Sequence, residues 1–122
     1  MTIDELRALC LSLPGTHEKE TWGDAEHAGD VTFRVRDKIY VITGETGGSA
    51  SVRTSTEQQA DLIAAFPEAV SSAPYVGRFG WVNVRLDGPG SLDDDVIADV
   101  VRSAWRRTAP KAVVKAYDEA AR

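Results

Sequence analysis

The sequence predicts an α+β fold, a mostly antiparallel sheet with helices packed on one face. Three observations predict it. Residues 31–43 and 79–86 alternate apolar and polar side chains with the period of a strand. Four other stretches carry apolar residues at spacings of three and four, the period of a helix. The order of these segments is helix, strands, helix, strand or strands, helix, helix, which suits helices layered on one side of a sheet. The other side of such a sheet is then open to solvent or to a partner.

"TIDELRALCLSLPG" reads as the first helix. Thr2 and Glu5 have capping-box spacing, and Ile3, Leu6, Leu9, Cys10 and Leu13 form one apolar stripe. Pro14 and Gly15 end it. Residues 16–28 are polar and show no apolar period, so they read as a loop anchored by Trp22, whose ring is too large to leave wet. In "DVTFRVRDKIYVITG", Val31, Phe33 and Val35 point one way, and Thr32, Arg34 and Arg36 the other. Asp37-Lys38 is expected to make the turn into a returning strand over residues 39–43. "GETGGSA" reads as a glycine-rich loop and "SVRT" as a short third strand.

"STEQQADLIAAFPE" reads as a second helix, capped by Ser55, with Leu62, Ile63 and Phe66 as its buried stripe. "SSAPYVG" looks irregular, and residues 79–86 form a strand. Ser91 is expected to cap a third helix, in which Asp93, Asp94 and Asp95 favour the positive end of the helix dipole. Its stripe is Leu92, Val96, Ile97, Val100, Val101, Ala104 and Trp105. Pro110 suits the first turn of a last helix, "PKAVVKAYDEAA".

The chain has 122 residues, which predicts one domain over residues 1–122. It lacks an apolar run long enough to span a bilayer, and its acidic, amphipathic start does not read as a signal peptide. A single cysteine, Cys10, lies on the apolar stripe and fits a reducing compartment, so the protein is expected to be cytoplasmic, without a membrane partner. The formal net charge of −5 opposes nonspecific attraction to polyanions, so the placement of the cations matters more than their number.

Residues 31–55 hold Arg34, Arg36, Lys38 and Arg53 against Asp37 and Glu45, a local positive excess. Trp81 and Arg85 share one side of a later strand. An indole among guanidiniums on a sheet can stack a base and hold phosphates, or anchor a protein partner. A solvated sheet face with cross-strand pairs is the plainer alternative. A second basic stretch, Arg102, Arg106, Arg107, Lys111 and Lys115, is mostly explained by cations complementing a helix C-terminus. Lys111 stands apart, because it falls in the first turn of the next helix, where a cation is unfavourable.

His17 and His27 lie among Glu18, Glu20, Asp24, Glu26 and Asp30, but at no known metal-ligand spacing. No nucleophile elbow, phosphate loop or dinucleotide fingerprint occurs. The residues therefore point to a binding module, with no catalysis and no cofactor expected.

The strings "LSLPGTHEKETWG", "FRVRDKIYV" and "AWRRTAPKAVVKAYD" resemble the MmcQ/YjbR-like family over about residues 3–118. Trp22, Gly23, Phe33, Lys38, Trp105, Pro110, Lys111 and Tyr117 match it by position, and most look architectural. The resemblance implies a frataxin-like (CyaY-like) α+β fold and DNA binding through a double-wing arrangement. It implies no established catalysis. Where some relatives carry a Lys-x-His-Trp pattern, this chain has Arg78, Phe79, Gly80 and Trp81, so the histidine is missing. The expected DNA contacts are Arg34, Arg36, Lys38, Arg53, Arg78, Trp81, Arg85 and Lys111. The alternative is a protein- or small-ligand module anchored by Trp81.

Overall fold

The computed structural model describes residues 1–21, 30–44, 48–74 and 76–121. Among them the chain runs α1 (Ile3–Ser12), β1 (Thr16–Thr21), β2 (Asp30–Val35), β3 (Lys38–Thr43), β4 (Ser49–Val52) and α2 (Thr56–Ala65). It continues through β5 (Val70–Ser72), one 3₁₀ turn (Gly77–Phe79), β6 (Val82–Arg85), α3 (Asp94–Thr108) and α4 (Lys111–Ala120). The six strands make one antiparallel sheet in the order β1-β2-β3-β4-β6-β5. The expected α+β class holds.

Strand alternation builds the core. Phe33 and Val35 of β2, Val41 of β3, Ala50 and Val52 of β4, and Val82 and Val84 of β6 are buried together. Leu6 and Cys10 of α1, with Ile97, Val100, Val101, Ala104 and Trp105 of α3, complete the same cluster. Trp105 has no solvent exposure. Its Nε1 donates to the Pro14 carbonyl at 2.9 Å, and its ring meets Tyr117 of α4 edge-on at 4.9 Å. One side chain thus ties α3, α4 and the turn after α1 together. The helices α2 and α4 bury no residue fully; Leu62, Ile63 and Phe66, and Val113, Val114 and Tyr117, pack half-buried against the cluster.

A bulge between β2 and β3 adds a long-range tie. Phe33 pairs with Val41 but Arg34 pairs with Ile39, so Tyr40 is the extra residue. Tyr40 and Val41 are consequently both buried. The Tyr40 hydroxyl hydrogen-bonds Thr16 Oγ1 at 2.7 Å and donates to the Cys10 carbonyl at 3.3 Å, fixing α1 and β1 to β3.

Several elements differ from expectation. Residues 16–21 form an edge strand rather than part of a loop. The period of β1 is in its charges: Glu18 and Glu20 alternate with His17 and Lys19, a signal that a search for apolar residues passes over. Trp22, expected to anchor that loop, lies outside the described residues. The hairpin turn is Arg36-Asp37, because Lys38 already pairs with Val35. Arg36 has a φ of 56°, a left-handed conformation that suits Gly or Asn better. It is therefore a turn residue and does not share a strand side with Arg34. "SSAPYVG" contributes β5 and the 3₁₀ turn, and β6 begins at Val82 rather than at residue 79. Asp93, not Ser91, takes the N-cap position of α3, with no side-chain cap bond. Pro110 precedes α4 at its N-cap.

Candidate functional site

The sheet face away from the helix layer carries the other half of each strand's alternation. The pairs Lys19↔Thr32, Thr32↔Ile42, Ile42↔Ser51 and Ser51↔Asn83 run across its middle. One level along, His17 pairs with Arg34, and Arg34 with Ile39. Arg53 follows Ser51 by two residues, and its amide continues the ladder by donating to the Tyr40 carbonyl at 3.0 Å. Trp81 precedes Asn83 by two, and its carbonyl accepts from Ala73 at 3.1 Å, again in ladder register. Arg34, Ile39, Arg53 and Trp81 therefore form a second row across the same face. Trp81 is partly exposed and is not part of the buried core.

Parity sorts the charges of this acidic chain. Among the described strand-register positions, the open face takes Lys19, Arg34, Arg53 and Arg85 against one carboxylate, Asp30. The acids of β1 go to the helix side. There Arg7 of α1 donates to Glu18 at 2.9 Å and holds its carboxyl below the usual carboxylate range through that hydrogen bond. Among the described residues, no carboxylate pairs with Lys19, Arg34, Arg36, Lys38, Arg53, Arg78 or Arg85. Arg34 Nε donates to Thr32 Oγ1 at 3.0 Å, and the same hydroxyl donates to the Lys19 carbonyl at 2.9 Å. Thr32 is thereby satisfied; it is fully buried, so the face is covered rather than open at this position.

The helix layer is the opposite case. Three of its cations are paired: Arg106 with Asp118 at 2.5 Å, Arg102 with Asp99 at 3.7 Å and Lys115 with Glu119 at 3.9 Å, while Arg107 and Lys111 are exposed with no carboxylate partner among the described residues. Lys111 is exposed at the start of α4, beside Arg106, Lys115 and Asp118, and does not join the sheet face.

Position along the strands separates the sheet cations further. Arg34 and Arg53 lie at the end of the sheet that also bears the Arg36-Asp37 turn, the exposed Lys38 and the 3₁₀ turn with Arg78. Arg85 pairs with Ser49 at the far end. At about 4.8 Å per strand and 3.3 Å per residue, it is roughly 20 Å from Arg34. Its Nη1 donates to the Pro89 carbonyl at 2.8 Å. The structure thus brings together Arg34, Arg36, Lys38, Arg53, Arg78 and Trp81, and leaves out Arg85 and Lys111.

Two features, one on this face and one in the 3₁₀ turn at its end, were not singled out from the sequence. Lys19 became visible only once residues 16–21 were seen to be a strand. Phe79 is 63% exposed, with the Arg78 guanidinium 4.7 Å from its ring centre. Between the two ends lies a cleft of about 550 Å³, lined by Ile42, Ser51, Asn83, Pro74, Val76 and Asp30 among others. Trp81 does not line it. Among the described residues, no group of three or more His, Cys, Asp or Glu could hold a metal ion, and His27 lies outside them. No described helix is long and apolar enough to cross a membrane.

Cys10 is fully buried and unpaired. Burial pushes its thiol up to about 12, the reverse of what a nucleophile needs.

Comparison with known proteins agrees with this architecture. A family model described as YjbR matches residues 11–107. The crystal structure of the Deinococcus radiodurans protein DR2400, a DUF419 protein, is similar with a TM-score of 0.73 at 24% identity, covering 85% of this chain and 75% of that one. That likeness concerns the fold. No curated protein matches the chain.

Proposed function

The chain belongs to the YjbR family, and from that premise we propose that it is a single-domain, cytoplasmic nucleic-acid-binding module that grips a polyanion with one end of its open sheet face. The observation that carries this reading is the sorting of cations that meet no carboxylate among the described residues. Arg34, Arg36, Lys38, Arg53 and Arg78 share one sheet end in a protein of net charge −5, while the helix-layer pairs neutralise Arg102, Arg106 and Lys115. A structural surface tends to pair its charges; a polyanion site keeps them free for phosphates. Arg36 supports the same reading. A cation occupies a left-handed position that Gly or Asn would fill with less strain. Arg85 lies at the far end of the sheet, held to the Pro89 carbonyl, and Lys111 lies on the helix layer, so neither belongs to this cluster.

The test is a salt titration with a fluorescently labelled oligonucleotide. Contacts from four or five cations predict that log K falls with log salt at a slope near −3 to −4, at about 0.7–0.9 per neutralised phosphate. A flat titration, or no binding at low salt, contradicts the reading.

The 550 Å³ cleft favours a second reading, an open-face pocket for a small ligand. In that case Trp81, which is outside the cleft, is not the anchor.

A further inference from the structure

Resting on the nucleic-acid reading, we infer that the preferred ligand is single-stranded, with an unpaired base stacked on the exposed ring of Phe79. A lone exposed phenyl means little by itself. This one is held in place by the residues on both sides. A Cβ at Gly77 would meet Ser72 Oγ at 2.0 Å and Ser72 Cβ at 3.3 Å, so the start of the 3₁₀ turn lies close against β5. Gly80 has a φ of +98°, and a Cβ there would meet the backbone of residues 54–56 at 2.7 Å. The Thr54 hydroxyl donates to the Gly80 carbonyl. From α2, Gln59 Nε2 donates to the carbonyls of Gly77 and Trp81, both at 2.8 Å.

The short segment is thus clamped to the sheet end at both of its glycines, and what it presents outward is Arg78 and Phe79. The guanidinium 4.7 Å from the ring centre adds a cation to the π surface. Gly80 packs on the backbone of residues 54–56, which puts the turn at the same sheet end as Arg53, and Arg78 is the cation in contact with the ring. An exposed aromatic beside unpaired cations matches a strand whose bases are free and whose backbone is charged. In a duplex the bases cover one another's faces, and the ring would gain no stacking partner. The unpaired cations likewise favour a polyanion over an uncharged protein surface.

Phe79→Ala and Phe79→Trp test this against two labelled probes, a 12-nucleotide single strand and the same strand annealed to its complement. Phe79→Ala is expected to weaken single-strand binding about 5- to 150-fold with an unchanged salt slope. Duplex binding should barely move, and Phe79→Trp should retain single-strand affinity. Equal losses on both probes, or no loss on either, overturn the stacking inference while leaving a steep salt slope to support polyanion binding. If the parent protein binds neither probe, the broader reading fails. Because Phe79 is exposed, the melting temperature of both variants should match the parent's, which keeps the comparison free of unfolding.

Discussion

Cys10 and Tyr40 show what burial does to chemistry that looks available in the sequence. The apolar stripe of α1 correctly places Cys10 inside, and burial then raises its thiol to about 12 and raises the Tyr40 phenol as well. Both groups keep their protons in the fold after the unfolded chain has lost them. Their stabilising effect is complete below the unfolded thiol value near 9 and declines as pH rises through the folded values. The melting temperature is therefore expected to be flat from about pH 7 to 8.5 and to fall steadily above about 9. Alkylation at pH 8 should label Cys10 only after denaturant is added. Rapid labelling of the native protein would contradict this burial. Other residue-level features were not legible. Nothing local marks Arg36 as a left-handed turn residue, because Asp37-Lys38 offers the same composition one step later. The pairing of Val35 with Lys38 decides the register.

At the scale of elements, the sequence was legible wherever apolar residues carried the period. α1, α2, α3, β2, β3 and the body of β6 follow their stripes. β1 did not, because an edge strand exposed on both faces can alternate charges instead of burying side chains. β5 is only three residues long, too short for any period. The segment from Gly77 to Trp81 is shaped by close packing that no local pattern announces, and its glycines give a sharp contrast. Gly80→Ala combines an unfavourable φ with a 2.7 Å approach to backbone and should cost roughly 2–4 kcal/mol in denaturant unfolding. Gly88→Ala has a φ of +77° but nothing within 4 Å, and should cost about 1 kcal/mol. Equal costs would mean that the clamp over residues 54–56 is not tight.

Across the whole molecule, the candidate site follows from one rule applied to four strands. Alternation sends Lys19, Arg34, Arg53 and Arg85 to the open face, and sends Glu18 and Glu20 to the helix side, where Arg7 meets Glu18. Period two in the sequence already paired Trp81 with Arg85. It could not say that Arg85 lies at the other end, since strand order and register are properties of the assembled sheet. Nor could it place Lys111 on the helix layer beside Arg106 and Asp118. Net charge was the least informative quantity. The value of −5 averages over a helix layer where Arg102, Arg106 and Lys115 are paired and a sheet end where, among the described residues, Arg34, Arg53 and Arg78 meet no carboxylate.

That contrast sets the most direct measurement. Arg34→Ala with Arg53→Ala, and Arg102→Ala with Lys111→Ala, each remove two cations and take the formal charge from −5 to −7. Oligonucleotide binding is then followed against salt for both double variants and the parent. The sheet pair should lower affinity and flatten the slope of log K against log salt by about 1.4–1.8, while the helix pair leaves the slope unchanged. Identical slopes for the two variants would show that only total charge matters, and would contradict a binding surface built by strand parity.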